Sequence, residues 1–129
     1  MSDTVTKGLR IVAQPRYLPE QSNPAEGRYL FAYDIAISNH ATRSLRVVSR
    51  HWIITDGNGH VEHVRGPGVV GQQPRLAPGE SFRYTSACPL PTPVGTMHGS
   101  FRVEPDDAAD EPFDAQIRPF RLAVPGRLN

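Results

Sequence analysis

The chain is 129 residues long and nearly neutral, with 14 Lys plus Arg against 13 Asp plus Glu and a formal charge of +1. That balance excludes a global field for nucleic acid or membrane surfaces, and the length fits one domain, residues 1–129, able to bury roughly two thirds of its unfolded surface. Cys88 is the only cysteine, which excludes an internal disulfide framework and a multi-thiolate metal site and points to a reducing, cytoplasmic setting.

Met1 to Lys7 lacks the apolar run of a signal peptide, and no later stretch approaches the ~20 apolar residues of a membrane span, so no membrane insertion is expected. Leu9, Ile11 and Ala13 alternate before Pro15 and predict a short strand. Residues 17–27, punctuated by Pro19, Asn23, Pro24 and Gly27, read as a surface loop. From Arg28 to Asn39 the odd positions Tyr29, Phe31, Tyr33, Ile35 and Ile37 are apolar, the mark of a strand with one buried side. Leu45 and Val47 fit one register and Val48, Trp52 and Ile54 the other, which predicts a β-bulge near Ser49 and Arg50. Asp56-Gly57-Asn58-Gly59 then supplies turn residues tolerant of positive φ, so Gly59 to Val64 should pair back onto the preceding strand.

Leu76 to Ser81 holds a Pro-Gly turn leading into a strand with Phe82 and Tyr84 on one face. Met97, Phe101 and Val103 share a face in the next strand, and Asp106 to Asp110 reads as a polar connection. Phe113, Ala115 and Ile117 give way to the opposite register of Phe120, Leu122 and Val124, placing a kink at Pro119. No segment sustains a helical period. About seven or eight antiparallel strands at short spacing describe an all-β fold, an immunoglobulin or fibronectin type III-like β-sandwich.

Gly66-Pro67-Gly68-Val69-Val70-Gly71 spells G-x-G-x-x-G, but prolines at 74 and 78 occupy the place where a phosphate-binding helix would start. Three other blocks are equally specific in wording: Arg16 to Ser22, Ser49 to Asp56, and Cys88 to Met97. With Leu76 to Phe82 and the ending Pro119 to Leu122, they resemble the ApaG family across about Lys7 to Gly126. The resemblance implies a fibronectin type III-like sandwich in a bacterial protein associated with cobalt resistance and magnesium efflux. Related domains in eukaryotic F-box and polymerase-interacting proteins look like partner-binding modules.

The residues offer two candidate sites. Arg65, Gly66, Gly68 and Gly71 form either an anion-binding nest of backbone amides or a loop whose glycines only permit tight turning; Pro67 removes one amide, while Arg65 and Arg75 could pair with phosphate. Arg50, His51 and Trp52 are the candidate partner surface, because Arg and Trp dominate interface hot spots, with Trp52 alternatively the core anchor of the sandwich. The edge strands offer a second route, by strand addition of a partner peptide. His60 and Glu62 would share a strand face with His63 opposite, two ligands where a zinc-like site wants three or four, so no metal site is assigned. Cys88 has no positive neighbour to activate it, and no carboxylate pair stands in an apolar setting.

The expected function is therefore a non-enzymatic protein-binding module without cofactor or nucleic-acid partner, with any effect on divalent cations indirect. The alternative is a phosphate or nucleotide sensor, binding such ligands weakly through the glycine loop. A homodimer is a further expectation to test.

Overall fold

The computed structural model describes residues 1–126, and among these every regular element beyond two 3-10 turns is a strand. Nine strands are present: β1 Ser2–Thr6, β2 Leu9–Tyr17, β3 Tyr29–Asn39, β4 Leu45–Asp56, β5 Val61–Pro67, β6 Arg75–Leu76, β7 Ser81–Leu90, β8 Val94–Pro105 and β9 Phe113–Ala123. One sheet runs β1-β2-β3-β7 and the other β5-β4-β8-β9, with β6 pairing the start of β4; every pairing is antiparallel. The β-sandwich expected from the sequence is thus present, with two strands that the pattern did not reveal, β1 and the two-residue β6.

Alternation places the core. Phe31, Tyr33, Ile35 and Ile37 of β3 face Leu45, Val47 and Trp52 of β4 and Met97, Phe101 and Val103 of β8, all nearly inaccessible. Full burial of each such side chain stabilises the fold by about 1.5–3 kcal/mol before entropy is counted. Trp52 is the centre, meeting Tyr33, Phe120 and Phe101 edge-on at 5.4, 5.9 and 6.1 Å between ring centroids.

The register break in β4 falls between Val47 and Ser49, one residue earlier than expected. Val48 is the extra residue, and its carbonyl accepts from the Gly68 amide and the Gln73 side chain, contacts a regular ladder would not leave room for. The break in β9 is where Pro119 predicted it, since Ile117 pairs with Gly99 and Phe120 with Met97. The β4–β5 hairpin also forms, but β5 starts at Val61 because the Asp56 carboxylate holds the Asn58 and His60 amides at 2.8 and 3.1 Å. Residues 17–27 are built as two 3-10 turns, tied by Ser22, whose hydroxyl donates to the Leu18 carbonyl and accepts from the Leu30 amide.

Asn39 is fully buried, and all its polar atoms are used. Its Nδ2 donates to the Arg43 and Leu76 carbonyls at 2.8 and 2.9 Å, and its Oδ1 accepts from Ala41 at 2.9 Å. The two flanks of the sandwich differ. On one, the amides of Gln116 and Arg118 on β9 donate to the hydroxyls of Thr6 and Thr4 on β1, at 3.1 and 3.2 Å. On the other, β5 and β7 are the outer strands of their sheets, and among the described residues no strand covers either.

Candidate functional site

Each glycine of the G-x-G-x-x-G stretch has its own structural reason. Gly66 pairs with Arg50 across the β4–β5 ladder, and a Cβ there would lie 2.9 Å from Nη2 of Arg50. The guanidinium crosses this gap so that Nη1 donates to the carbonyls of Pro67 and Gly68 at 2.9 and 3.1 Å. Gly68 sits at φ +57°, where a Cβ would lie 2.0 Å from the Gln72 carbonyl oxygen. Val69 and Gln72 exchange backbone hydrogen bonds of 2.8 and 2.9 Å around Val70 at φ +43° and Gly71 at φ +78°. Two successive positive φ values closed by such a pair make the tight hairpin turn that β-ribbons favour. The amides of Gly68 and Val69 are therefore engaged by the carbonyls of Val48 and Gln72. Arg65 pairs with His51 on the outer face of its sheet, one strand position out of phase with Gly66, and Arg75 is bound to Asp106 at 2.6 Å.

Arg50, His51 and Trp52 do not form one surface, and this corrects the sequence expectation. Strand alternation turns Arg50 and Trp52 inward and His51 outward, and Trp52 is only 2% exposed because three aromatic rings enclose it. On the outer face, His51 Nε2 lies 2.9 Å from His63 Nδ1, with the rings stacked at 5.2 Å. Desolvation first, then the charges of Arg65, His63 and His98, hold the His51 imidazole below its ordinary pKa. No group of three or more His, Cys, Asp or Glu among the described residues is placed to hold a metal ion.

The inward position of Arg50 opens on a different site. Between β5 and β7 the sandwich leaves a cavity of about 220 Å³, whose walls include Tyr33, Arg50, Trp52, Glu62, Val64 and Ser86. A second hollow of about 230 Å³ continues it past Ile54, Glu62 and Pro89 toward His60 and Pro91. The cleft is thus an elongated slot along the uncovered flank. Val64, directly opposite the buried Trp52 in register, is nevertheless 36% exposed, because β5 is the outermost strand of its sheet.

The slot carries charge at both ends. Among the described residues no carboxylate lies within 4 Å of the Arg50 guanidinium and no cation within 4 Å of the Glu62 carboxylate, whereas six ion pairs form elsewhere. The Tyr84 hydroxyl is buried with no hydrogen-bond partner. Burial raises its pKa, the neighbouring Tyr33 adds to the rise, and the charge of Arg50 opposes it. Burial also raises the Tyr33 phenol, against the hydroxyl of Ser86. The Cys88 thiol is pushed up to about 11 by burial, with Glu62 adding to the effect. A larger trough of about 520 Å³ crosses the outer face of the β2-β3-β7 sheet, but its one carboxylate, Asp34, is already held by Arg16 and by the Thr85 hydroxyl.

The model of the ApaG domain matches residues 19–105. Over 129 residues the chain is 54% identical to Protein ApaG of an Azoarcus strain, covering all of both chains. The chain belongs to the ApaG family. It is likewise 54% identical to Protein ApaG of Azotobacter vinelandii over 121 residues, 94% of each chain. The crystal structure of the ApaA protein from Bordetella pertussis is 52% identical with a TM-score of 0.88, over 92% of this chain and 95% of that one.

The ApaG-domain match spans the glycine turn, the Arg50 to Trp52 segment and the whole slot from Tyr33 to Cys88. Sequence reasoning named Arg50 and Gly66 for other roles, and missed Tyr33, Glu62, Val64 and Ser86 as neighbours of Arg50 in the slot. Their alternation was legible, since each stands on the inward face of its strand. What joins them is the way the two sheets stack, which strand patterns leave unspecified.

Proposed function

We propose that this ApaG chain is a non-enzymatic protein-binding module, acting in the cytoplasm, that takes an extended segment of its partner along the uncovered β5 edge. The observation that supports this is Val64, an apolar, inward-facing residue on the outermost strand that is left exposed beside the core tryptophan. Soluble proteins usually blunt or cover such an edge, and a strand added from a partner is one way to complete it. Val61 on the same strand is 48% exposed. The chemistry of the flank favours binding over catalysis, because a thiol held at a pKa of about 11 is a poor nucleophile near neutral pH. The association of the family with cobalt resistance and magnesium efflux then reads as an indirect effect exerted through the partner. The phosphate-sensor alternative draws less support from the turn, where the two amides best placed for an anion are engaged by backbone carbonyls.

The test is selection from a library of random linear peptides, followed by amide hydrogen exchange of the complex. Bound peptides should slow exchange in residues 61–67 and lose affinity at least about tenfold when Val61→Lys and Val64→Lys charge the edge. Protection confined to the 66–73 turn, or to the outer sheet faces, would refute strand addition at β5.

A further inference from the structure

Resting on that reading of the β5 edge, we infer that the slot selects a partner segment by charge polarity, taking a carboxylate side chain onto Arg50 and a basic side chain onto Glu62, with an apolar residue between them.

The spacing follows from the ladder. A strand added to the free edge of β5 points alternate side chains inward, opposite Gly66, Val64 and Glu62, which themselves stand opposite Arg50, Trp52 and Ile54. The first of these positions has no side chain. Gly66 leaves a window through which Nη2 of Arg50 is reached from the flank, since that nitrogen lies only 2.9 Å from where a Cβ would stand. A guanidinium has five N–H donors, and among the described residues only Nη1 of Arg50 is used, on the Pro67 and Gly68 carbonyls. Donors without acceptors in a half-buried cleft suit an anion that can accept several hydrogen bonds at once, and a carboxylate does so with charge assistance.

The middle position meets Val64 and the edge of the aromatic core around Trp52, where an apolar side chain buries surface that is now exposed. The third position meets Glu62, which lacks a cation partner among the described residues and faces the slot together with Ile54. Arg50 and Ile54 are four strand residues apart, roughly 13 Å at about 3.3 Å per residue, so the acid and the base of the guest lie at i and i+4 in either chain direction. The small volume, about 220 Å³, accommodates side chains of a strand, below the roughly 300–1,000 Å³ usual for drug-sized ligands.

The experiment uses the full chain and fluorescein-labelled heptapeptides read by fluorescence anisotropy. The probe is Thr-Glu-Thr-Val-Thr-Lys-Thr, with one control carrying Glu at both charged positions and another carrying Lys at both. The probe should bind about tenfold tighter than either control at low salt, the size of a single charge-assisted contact. Glu62→Lys, a change at an exposed position whose folding is checked by thermal melting, should reverse the order in favour of the doubly acidic peptide. Equal binding of all three peptides, or an order unaltered by Glu62→Lys, overturns the polarity while exchange protection of residues 61–67 would keep strand addition standing. Absence of binding by every peptide, without protection of 61–67, overturns both.

Discussion

Alanine at each glycine of the 66–71 turn should destabilise the fold by different amounts, in an order set by geometry. Gly68→Ala meets two obstacles: a left-handed backbone, costing an L-residue about 1–2 kcal/mol, and a Cβ placed 2.0 Å from the backbone oxygen of Gln72. Relief of that overlap must move the backbone and so weaken the Val69–Gln72 pair and the Gly68–Val48 bond, each contributing about 0.5–1.5 kcal/mol. The expected loss is about 3 kcal/mol. Gly71→Ala meets the backbone term alone, since nothing lies within 4 Å of its Cβ, and should cost about 1 kcal/mol. Gly66→Ala pays no left-handed penalty but pushes the Arg50 guanidinium aside, loosening two charge-assisted bonds, for a loss of about 2 kcal/mol. Equilibrium urea unfolding at constant m-value measures all three. Equal losses across the series, or a neutral Gly68→Ala, would refute the assignment of the motif to a hairpin turn.

Asn39→Leu removes three hydrogen bonds and leaves the Arg43 and Leu76 carbonyls and the Ala41 amide without their partner, which should cost about 3–5 kcal/mol in guanidinium unfolding. His51 has a folded pKa below its ordinary 6.5, so the unfolded chain binds the proton more readily; stability should fall as pH drops below about 6.5, and His51→Gln should flatten that slope in thermal melts. A profile unaltered by the substitution would remove His51 as its source. Cys88, buried and with its thiol held near 11, should react with a disulfide reagent at pH 8 far more slowly in the native protein than in urea, and equal rates would contradict the burial.

The sequence conveyed the fold well because strands report burial with a period of two. Phe31 to Ile37, Phe101 to Val103 and the switch at Pro119 each carry their inward face in plain alternation. β1 escaped because Ser2 and Thr4, the residues it buries, are polar and give no hydrophobic signal. The bulge at Val48 was displaced by one residue because the contacts fixing it come from Gly68 and Gln73, some twenty residues away. The same limit applied to the site. Arg50 was singled out beside Trp52 as though neighbours in sequence shared a surface, whereas its working neighbours are Gly66, Tyr33 and Ser86 on other strands.

The two threonine hydroxyls that occupy the outer amides of β9 have a consequence for assembly. A β-structured polymer grows only from units with two free ends, each added unit offering a fresh edge to the next. Here one end is stoppered by the chain's own N-terminal strand. Strand pairing therefore cannot be passed from one flank of the molecule to the other, and the edges left open to an added strand, β5 and β7, lie on the same side.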